Sequence, residues 1–151
     1  MTVSINGVEQ PTYTDAEALA AAIAGGLSKV IWKDTSVTVM SDNDRTVDLA
    51  WTDLDLSAVT SNKAKFAILN LRLKPPIIGS GNYCQLSVRK NGTTASYPPS
   101  LFIYKVGLIA NFFQEQEVIV GLDDSQELEY EIDVGVDWTL DSRIRLLGYI
   151  E

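Results

Sequence analysis

The sequence contains no histidine among its 151 residues and only one cysteine, Cys84. Without histidine, the commonest general acid–base catalyst is missing, as are Ser-His-Asp and Cys-His nucleophiles and nearly all zinc sites. A single cysteine excludes a disulfide framework within the chain. The sequence also has no Walker loop, no GxGxxG motif and no CxxC motif. We therefore expect a protein that is not an enzyme and that uses no metal or other cofactor.

Long apolar runs are missing too. No run approaches the roughly 20 residues that cross a bilayer, and residues 1–7 have neither a basic region nor an apolar core. We therefore expect no contact with a membrane and no cleaved signal peptide. Hydrophobic residues make up 46% of the chain and charged residues 21%, which is typical of a folded globular domain.

Acidic side chains are absent between Asp55 and Glu115, although the whole chain carries a net charge of −8. Residues 61–110 contain seven basic residues, whereas residues 111–151 contain eleven carboxylates and two arginines. This segregation indicates either a basic surface for an anionic partner or pairing between basic central strands and acidic C-terminal strands of one sheet. Pairing is favoured, because opposite charges on neighbouring strands are common, and nucleic acid is not an expected partner of so acidic a chain. Four residues are the first candidates for a basic partner-binding surface: Arg72, Lys74, Arg89 and Lys90.

One helix is predicted near the N-terminus. The segment Thr14–Glu17 matches a capping box, and Gly25-Gly26 follows as a helix stop. Leu19 and Ile23 lie on one face of this helix, which at about ten residues is too short to be stable alone. We therefore expect Leu19 and Ile23 to pack against the β-core or a neighbouring subunit. The chain then divides into an arm with a short helix, residues 1–28, and a single domain, residues 29–151.

Alternation of apolar and polar side chains dominates the chain after residue 29. In Ala67–Leu73 and Cys84–Val88 every second residue is apolar, which is typical of a strand with one buried face. Pro75-Pro76 ends the first of these strands, and Asn91-Gly92 after the second is the strongest short signal for a β-hairpin. About eight or nine such strands at regular spacing predict a mainly β protein, an antiparallel β-sandwich of jelly-roll type.

The C-terminal strands give the clearest pattern. In Glu127–Asp133 acidic residues occupy every second position, which predicts one apolar face and one ladder of carboxylates. Arg143 and Arg145 lie on the opposite phase from Ile144 and Leu146 in the last strand. If the two strands pair antiparallel, as we expect of neighbours in sequence, both arginines face the carboxylate ladder.

Other groups resemble functional sites only superficially. The segment Ser41–Asp44 lacks the glycine and the closing glutamate of a calcium loop, so a β-turn between strands is favoured. The carboxylate pair Asp53 and Asp55 is not distinctive in so acidic a chain, and Cys84 is expected to be a buried, inert thiol. Six aromatic residues either form a sugar-binding platform or, as we favour, fill the core and interfaces: Trp32, Trp51, Trp138, Tyr83, Tyr97 and Tyr104.

Four segments between about residue 50 and residue 151 together resemble a known group of domains. Trp51–Ser57 precedes the apolar strand at Ala67–Leu73, and Val88–Gly92 is a basic strand that turns through Asn-Gly. Val120–Asp124 then leads into Leu-Glu-Tyr at 128–130, and the chain ends in Leu146–Glu151, which reads L-L-G-Y-I-E. In this order the segments resemble the β-sandwich domains of tailed-phage virion proteins, whereas residues 1–49 carry no such likeness.

This resemblance implies a non-enzymatic component of the virion, made in the host cytoplasm. The expected function is that of a capsid decoration (auxiliary) protein, whose partner is the major capsid protein of the assembled shell or another virion protein. Ring symmetry, with a homotrimer favoured, would let weak contacts add up. The alternative is a tail or adsorption module that binds a glycan or receptor on the host surface.

Overall fold

The computed structural model describes residues 3–5, 8–10, 29–75, 83–94, 98–104, 112–135 and 139–151. These residues form ten strands and no helix. The strands are Val3–Ile5 (β1), Val8–Gln10 (β2), Val30–Arg45 (β3), Leu49–Asp55 (β4), Phe66–Lys74 (β5), Tyr83–Lys90 (β6), Ser100–Tyr104 (β7), Gln114–Gly121 (β8), Glu127–Asp133 (β9) and Leu140–Ile150 (β10).

Eight of the strands build two antiparallel sheets of four. The first sheet has the order β3-β10-β5-β8 and the second the order β4-β9-β6-β7. The pairs β3–β10, β4–β9, β5–β8 and β6–β7 are nested, so that the first strand of the eight pairs with the last and the two middle strands pair with each other. Strands β1 and β2 form a separate two-stranded hairpin.

The two sheets pack against each other across one hydrophobic core. In β10 the even positions from Leu140 to Leu146 are buried, and the residues between them are half-buried, as alternation along a strand requires. The core takes large aliphatic side chains from both sheets, including Leu69, Leu71 and Ile144 from the first and Leu86, Leu101, Leu128 and Ile132 from the second. The prediction of a mainly β protein with an antiparallel, sandwich-like arrangement is therefore confirmed.

The predicted pairing of the last two strands is wrong. Strand β9 pairs with β4 and β6 in the second sheet, whereas β10 lies between β3 and β5 in the first. Arg143 and Arg145 therefore do not face the carboxylate ladder of β9. The alternating pattern predicts which face of a strand is buried, but it does not select the strand that lies alongside.

Two other predictions concern local structure. Asn91-Gly92 does not join two strands directly, since it opens the longer connection, residues 91–99, between β6 and β7. The N–H of Thr93 donates to the carbonyl of Lys90 over 3.2 Å, and Gly92 has a φ of 72°, a left-handed conformation that glycine adopts without strain. The predicted helix that starts at Thr14 lies outside the described residues. No helix in the described ranges is long and apolar enough to span a membrane.

Candidate binding surface on the first sheet

The outer face of the first sheet, which points away from the core, carries two contrasting rows of residues. Each row crosses all four strands, because the register aligns one residue from each strand. The apolar row consists of Trp32, Gly148, Ile68 and Ile119, and the charged row consists of Ser41, Arg143, Arg72 and Glu115.

Trp32, Ile68 and Ile119 of the apolar row line a groove with a volume of about 380 Å³, whose lining also includes the charged residue Glu117. Trp32 and Ile119 are 63% and 57% exposed and form its walls, whereas Ile68 is buried between them. Gly148 is required for this shape, because a Cβ atom at that position would lie 2.6 Å from the carbonyl oxygen of Ile31 and 3.2 Å from the Trp32 ring. Val30 at the start of β3 adds further exposed apolar surface.

The charged row brings like charges together. Arg143 on β10 lies directly opposite Arg72 on β5, and the neighbouring register pair is Asp141 with Lys74. Arg145 follows two residues along the same strand. Like charges directly opposite one another destabilise a pair of strands, and Glu115, which pairs with Arg72, offsets only part of this cost.

Arg143 carries most of that cost. Its Nε and Nη2 atoms are buried, and no acceptor among the described residues lies within hydrogen-bond distance of either. Burial and the positive charges of Arg145 and Arg72 lower the pKa of Arg143 from its ordinary value, although Glu115 acts in the opposite direction. The charged form of Arg143 is therefore less favourable in the folded protein than in the unfolded chain.

Beside Arg143 lies a cavity of about 180 Å³. Three cationic side chains line this cavity, namely those of Arg72, Lys74 and Arg143, together with one carboxylate, that of Asp141. Ser41 and Asn43 add a hydroxyl and an amide group to the lining, whereas the hydroxyl of Ser142 donates to Met40 Sδ in the core. The cavity therefore has an excess of positive charge and of hydrogen-bond donors.

The six predicted partner-binding residues separate into three groups. Arg72 and Lys74 lie together at the cavity on the first sheet, whereas Arg89 lies on β6 of the second sheet. Lys90 is exposed at the end of β6, and with Arg89 it lines a different groove, of about 490 Å³. The remaining two, Leu19 and Ile23, lie outside the described residues.

Arg89 is held by neighbours within its own sheet. Its Nε atom donates to Oε2 of Glu129 over 2.7 Å, and its guanidinium carbon lies 3.9 Å from the centre of the Trp51 ring. The side chains of Arg89 and Glu129 are only 17% and 15% exposed. Arg89 is thus committed to a structural ion pair and a cation–π contact.

Pairing between the basic middle of the chain and its acidic end accounts for three ion pairs. Arg89–Glu129 and Arg72–Glu115 join register partners on neighbouring strands, the second at 3.8 Å. Lys65 Nζ lies 3.4 Å from Asp124 in an exposed pair. The cross-strand interpretation of the charge segregation therefore holds for Arg89 and Arg72, whereas Lys65 and Asp124 lie outside the strands.

The other suspected sites have structural explanations. Ser41–Asp44 is not a β-turn, since it forms the end of β3, where Asp42 is paired with Arg45. Cys84 is fully buried, and burial together with the charge of Asp133 raises the pKa of its thiol to about 12. Among the residues that the structure describes, no three His, Cys, Asp or Glu side chains cluster as metal ligands would.

Two features of this surface escaped the sequence analysis. The sequence does not distinguish Trp32 from the five other aromatic residues, and alternation alone places Arg143 against the wrong strand. The bulge that aligns Gly148 with Trp32 and the register that aligns Arg143 with Arg72 both depend on contacts between strands distant in sequence. Comparison of the chain with known proteins adds no assignment, since no protein-family model and no curated protein matches it.

Proposed function

We propose that the protein is a non-enzymatic structural component of a tailed-phage virion, a capsid decoration protein that attaches to the assembled shell. The observation that carries the proposal is the apolar groove formed by Trp32 and Ile119 beside a charged row on the same sheet face. An apolar centre with a polar rim is the usual anatomy of a protein–protein interface. Tryptophan and arginine are also the residues that most often dominate binding energy at such interfaces.

The strand order supports a jelly roll as the finer description of the fold. A jelly roll has eight strands in two sheets, and viral capsid and lectin domains use it. The nested pairing of β3 with β10, through to β6 with β7, agrees with such an arrangement. Fold alone does not establish function, so the proposal depends on the outer face and on the resemblance of Trp51–Glu151 to virion proteins.

The partner we propose is the major capsid protein of the shell. An apolar side chain on the shell would fill the groove between Trp32 and Ile119, and a carboxylate beside it would face Arg145. A groove of about 380 Å³ is small for a stable interface by itself. A homotrimer would present three copies to a symmetric shell, so that individually weak contacts combine into stable attachment.

The test compares one exposed aromatic residue on each sheet. Shells that lack this protein are mixed with wild type, with Trp32→Glu or with Phe102→Glu, and the bound fraction is measured after sedimentation. Phe102 lies on β7 of the second sheet and is 40% exposed, which makes it a matched control. We expect Trp32→Glu to weaken binding by about 10-fold or more, as loss of a central anchor does, and Phe102→Glu to bind like wild type.

Two results would overturn this proposal. Wild-type protein that fails to bind shells at any concentration contradicts attachment, and equal binding by wild type and Trp32→Glu contradicts the assigned surface. Circular dichroism spectra of both variants establish that they are folded. The mass of the free protein in solution tests the trimer separately.

The exposed ring of Trp32 also favours one second candidate, a tail or adsorption module that binds a host-surface glycan. Flat aromatic rings present an apolar face on which a sugar can stack. A glycan array probed with wild type and with Trp32→Ala tests this function. If wild type binds a defined glycan, Trp32→Ala does not, and neither binds shells, the protein is an adsorption module and not a decoration protein.

A further inference from the structure

The cavity at Arg143 has features that attachment through the apolar groove does not explain. It is about 180 Å³ in volume and is lined by Arg72, Lys74 and Arg143 but by only one carboxylate, Asp141. Polar groups that are buried in a protein nearly always have hydrogen-bond partners, so an exception calls for a physical reason. The unpartnered Nε and Nη2 atoms of Arg143 are such an exception.

The carboxylates near the cavity are already engaged. Asp141 Oδ1 accepts the backbone N–H of Asp44 over 3.1 Å, and Glu115 lies 3.8 Å from Arg72. The register places Arg72 opposite Arg143, so neither arginine relieves the charge of the other. An anion supplied from outside the chain is the simplest group that would offset the excess charge, and it would reach the buried Nε and Nη2 atoms once the Arg143 side chain turns toward the cavity.

The donors are suited to an oxyanion with several oxygens. A guanidinium group presents N–H donors in a planar fork that matches phosphate and carboxylate oxygens, and a lysine adds a mobile point charge. Asn43 and Ser41 offer further polar groups at the rim. Three cations line the cavity against Asp141, and Glu115 lies beside only Arg72, so an excess of positive charge remains that favours an anion with several oxygens, such as a phosphate.

We propose that this cavity is a binding site for a phosphate dianion, held by Arg143 with Lys74 and Arg72. The source is either free inorganic phosphate or the phosphate group of a larger phosphomonoester, and both present the same terminal oxygens. The site is separate from the apolar groove, so this proposal does not depend on attachment to a shell.

The test is isothermal titration calorimetry on the full chain at about pH 8, where a phosphate carries about two negative charges. Inorganic phosphate, glycerol 3-phosphate and acetate are titrated at one ionic strength, set with chloride. We expect one saturable site for inorganic phosphate and no saturable binding of acetate. Binding of glycerol 3-phosphate with similar affinity would support the phosphomonoester as the source, whereas binding of inorganic phosphate alone would support the free ion.

The variants identify the residues. Arg143→Gln is expected to weaken phosphate binding by about 10-fold or more, as loss of a charge-assisted bidentate contact does, and Lys74→Gln by a smaller factor. Lys63→Gln removes the same charge from the exposed loop between β4 and β5 and should bind like wild type. Lys74→Gln keeps the test decisive if Arg143→Gln does not fold.

Three outcomes would overturn the proposal. The first is the absence of saturable phosphate binding to wild type. The second is an equal loss of affinity in Lys63→Gln and in the cavity variants, which would show that phosphate binding depends only on the net charge of the protein. The third is binding of acetate as tight as that of phosphate, which would assign the cavity to carboxylates.

Discussion

Two arginines on the outer faces of the two sheets have opposite surroundings. Arg89 on β6 in the second sheet is paired with Glu129 at 2.7 Å and covered by the ring of Trp51. Arg143 on β10 in the first sheet faces Arg72, and its Nε and Nη2 atoms have no acceptor among the described residues. The same residue type thus stabilises one sheet and costs stability in the other. We interpret Arg89 as a residue that stabilises the fold and Arg143 as a residue that binds a ligand.

The largest expected effect comes from the strand contact that shapes the apolar groove. Gly148→Ala would place a Cβ atom 2.6 Å from the carbonyl oxygen of Ile31, and a backbone atom cannot move aside without shifting β3. We expect a loss of about 3 kcal/mol in the free energy of unfolding, at the upper end for overpacking. Urea denaturation measures it, and an unchanged midpoint would show that β3 and β10 are not so close.

The next effect tests the paired arginine. Arg89→Gln leaves the carboxylate of Glu129 with little solvent and no cation, and it uncovers Trp51. We expect a loss of about 2 kcal/mol, the usual range for a hydrogen bond to a charged group. A double-mutant cycle with Glu129→Gln isolates the pair, and a coupling energy near zero would mean that Arg89 is no better partnered than Arg143.

The same substitution at the other arginine should act in the opposite direction. Because neighbouring positive charges and burial disfavour the charged form of Arg143, Arg143→Gln in phosphate-free buffer is expected to raise the free energy of unfolding by about 1 kcal/mol, within the range for an unsatisfied buried donor. Added phosphate should raise the thermal midpoint of wild type but not that of the variant. Destabilisation by Arg143→Gln would remove the contrast between the two sheets.

The smallest effect concerns a carboxylate at the end of β4 in the second sheet. Hydrogen bonds from the backbone N–H and the hydroxyl of Ser57 lower the pKa of Asp55, and the N–H donates over 2.7 Å. The folded protein therefore binds this proton less tightly than the unfolded chain, so the carboxylate stabilises the fold at neutral pH. That contribution disappears as the pH falls below about 4.

The measurement compares the thermal midpoints of wild type and Asp55→Asn at pH values on both sides of this range. We expect wild type to be slightly more stable at neutral pH and the difference to shrink in acid. A difference that does not change with pH would show that Asp55 forms no special interaction in the folded state.

The sequence predicted those features that depend on near neighbours. The alternation in Ala67–Leu73 and Cys84–Val88 located β5 and β6 and their buried faces, and it also predicted that Cys84 is buried. Strand partners are a different matter, since pairing is decided by packing between residues far apart in sequence. The acidic ladder of β9 has its arginine partner in Arg89, about 40 residues earlier in the chain, and not in Arg143.

The sequence predicted less of the binding surface than of the strands. Arg72 and Lys74 were selected because they lie in a basic segment, and the structure places them at the cavity. Arg89 and Lys90 met the same criterion but lie elsewhere, because charge along the chain does not specify which sheet a strand joins. The cavity and the groove each need three or four strands in register, and no segment of sequence contains that information.

The most direct test of the contrast between the two sheets is nuclear magnetic resonance of the arginine side chains during titration with inorganic phosphate. Each Nε–H gives its own signal, so Arg143 and Arg89 report from one sample at one ionic strength. We predict that the Arg143 signal shifts and saturates with phosphate while the Arg89 signal stays in place. An unmoved Arg143 signal, or equal shifts at both arginines, would contradict the account.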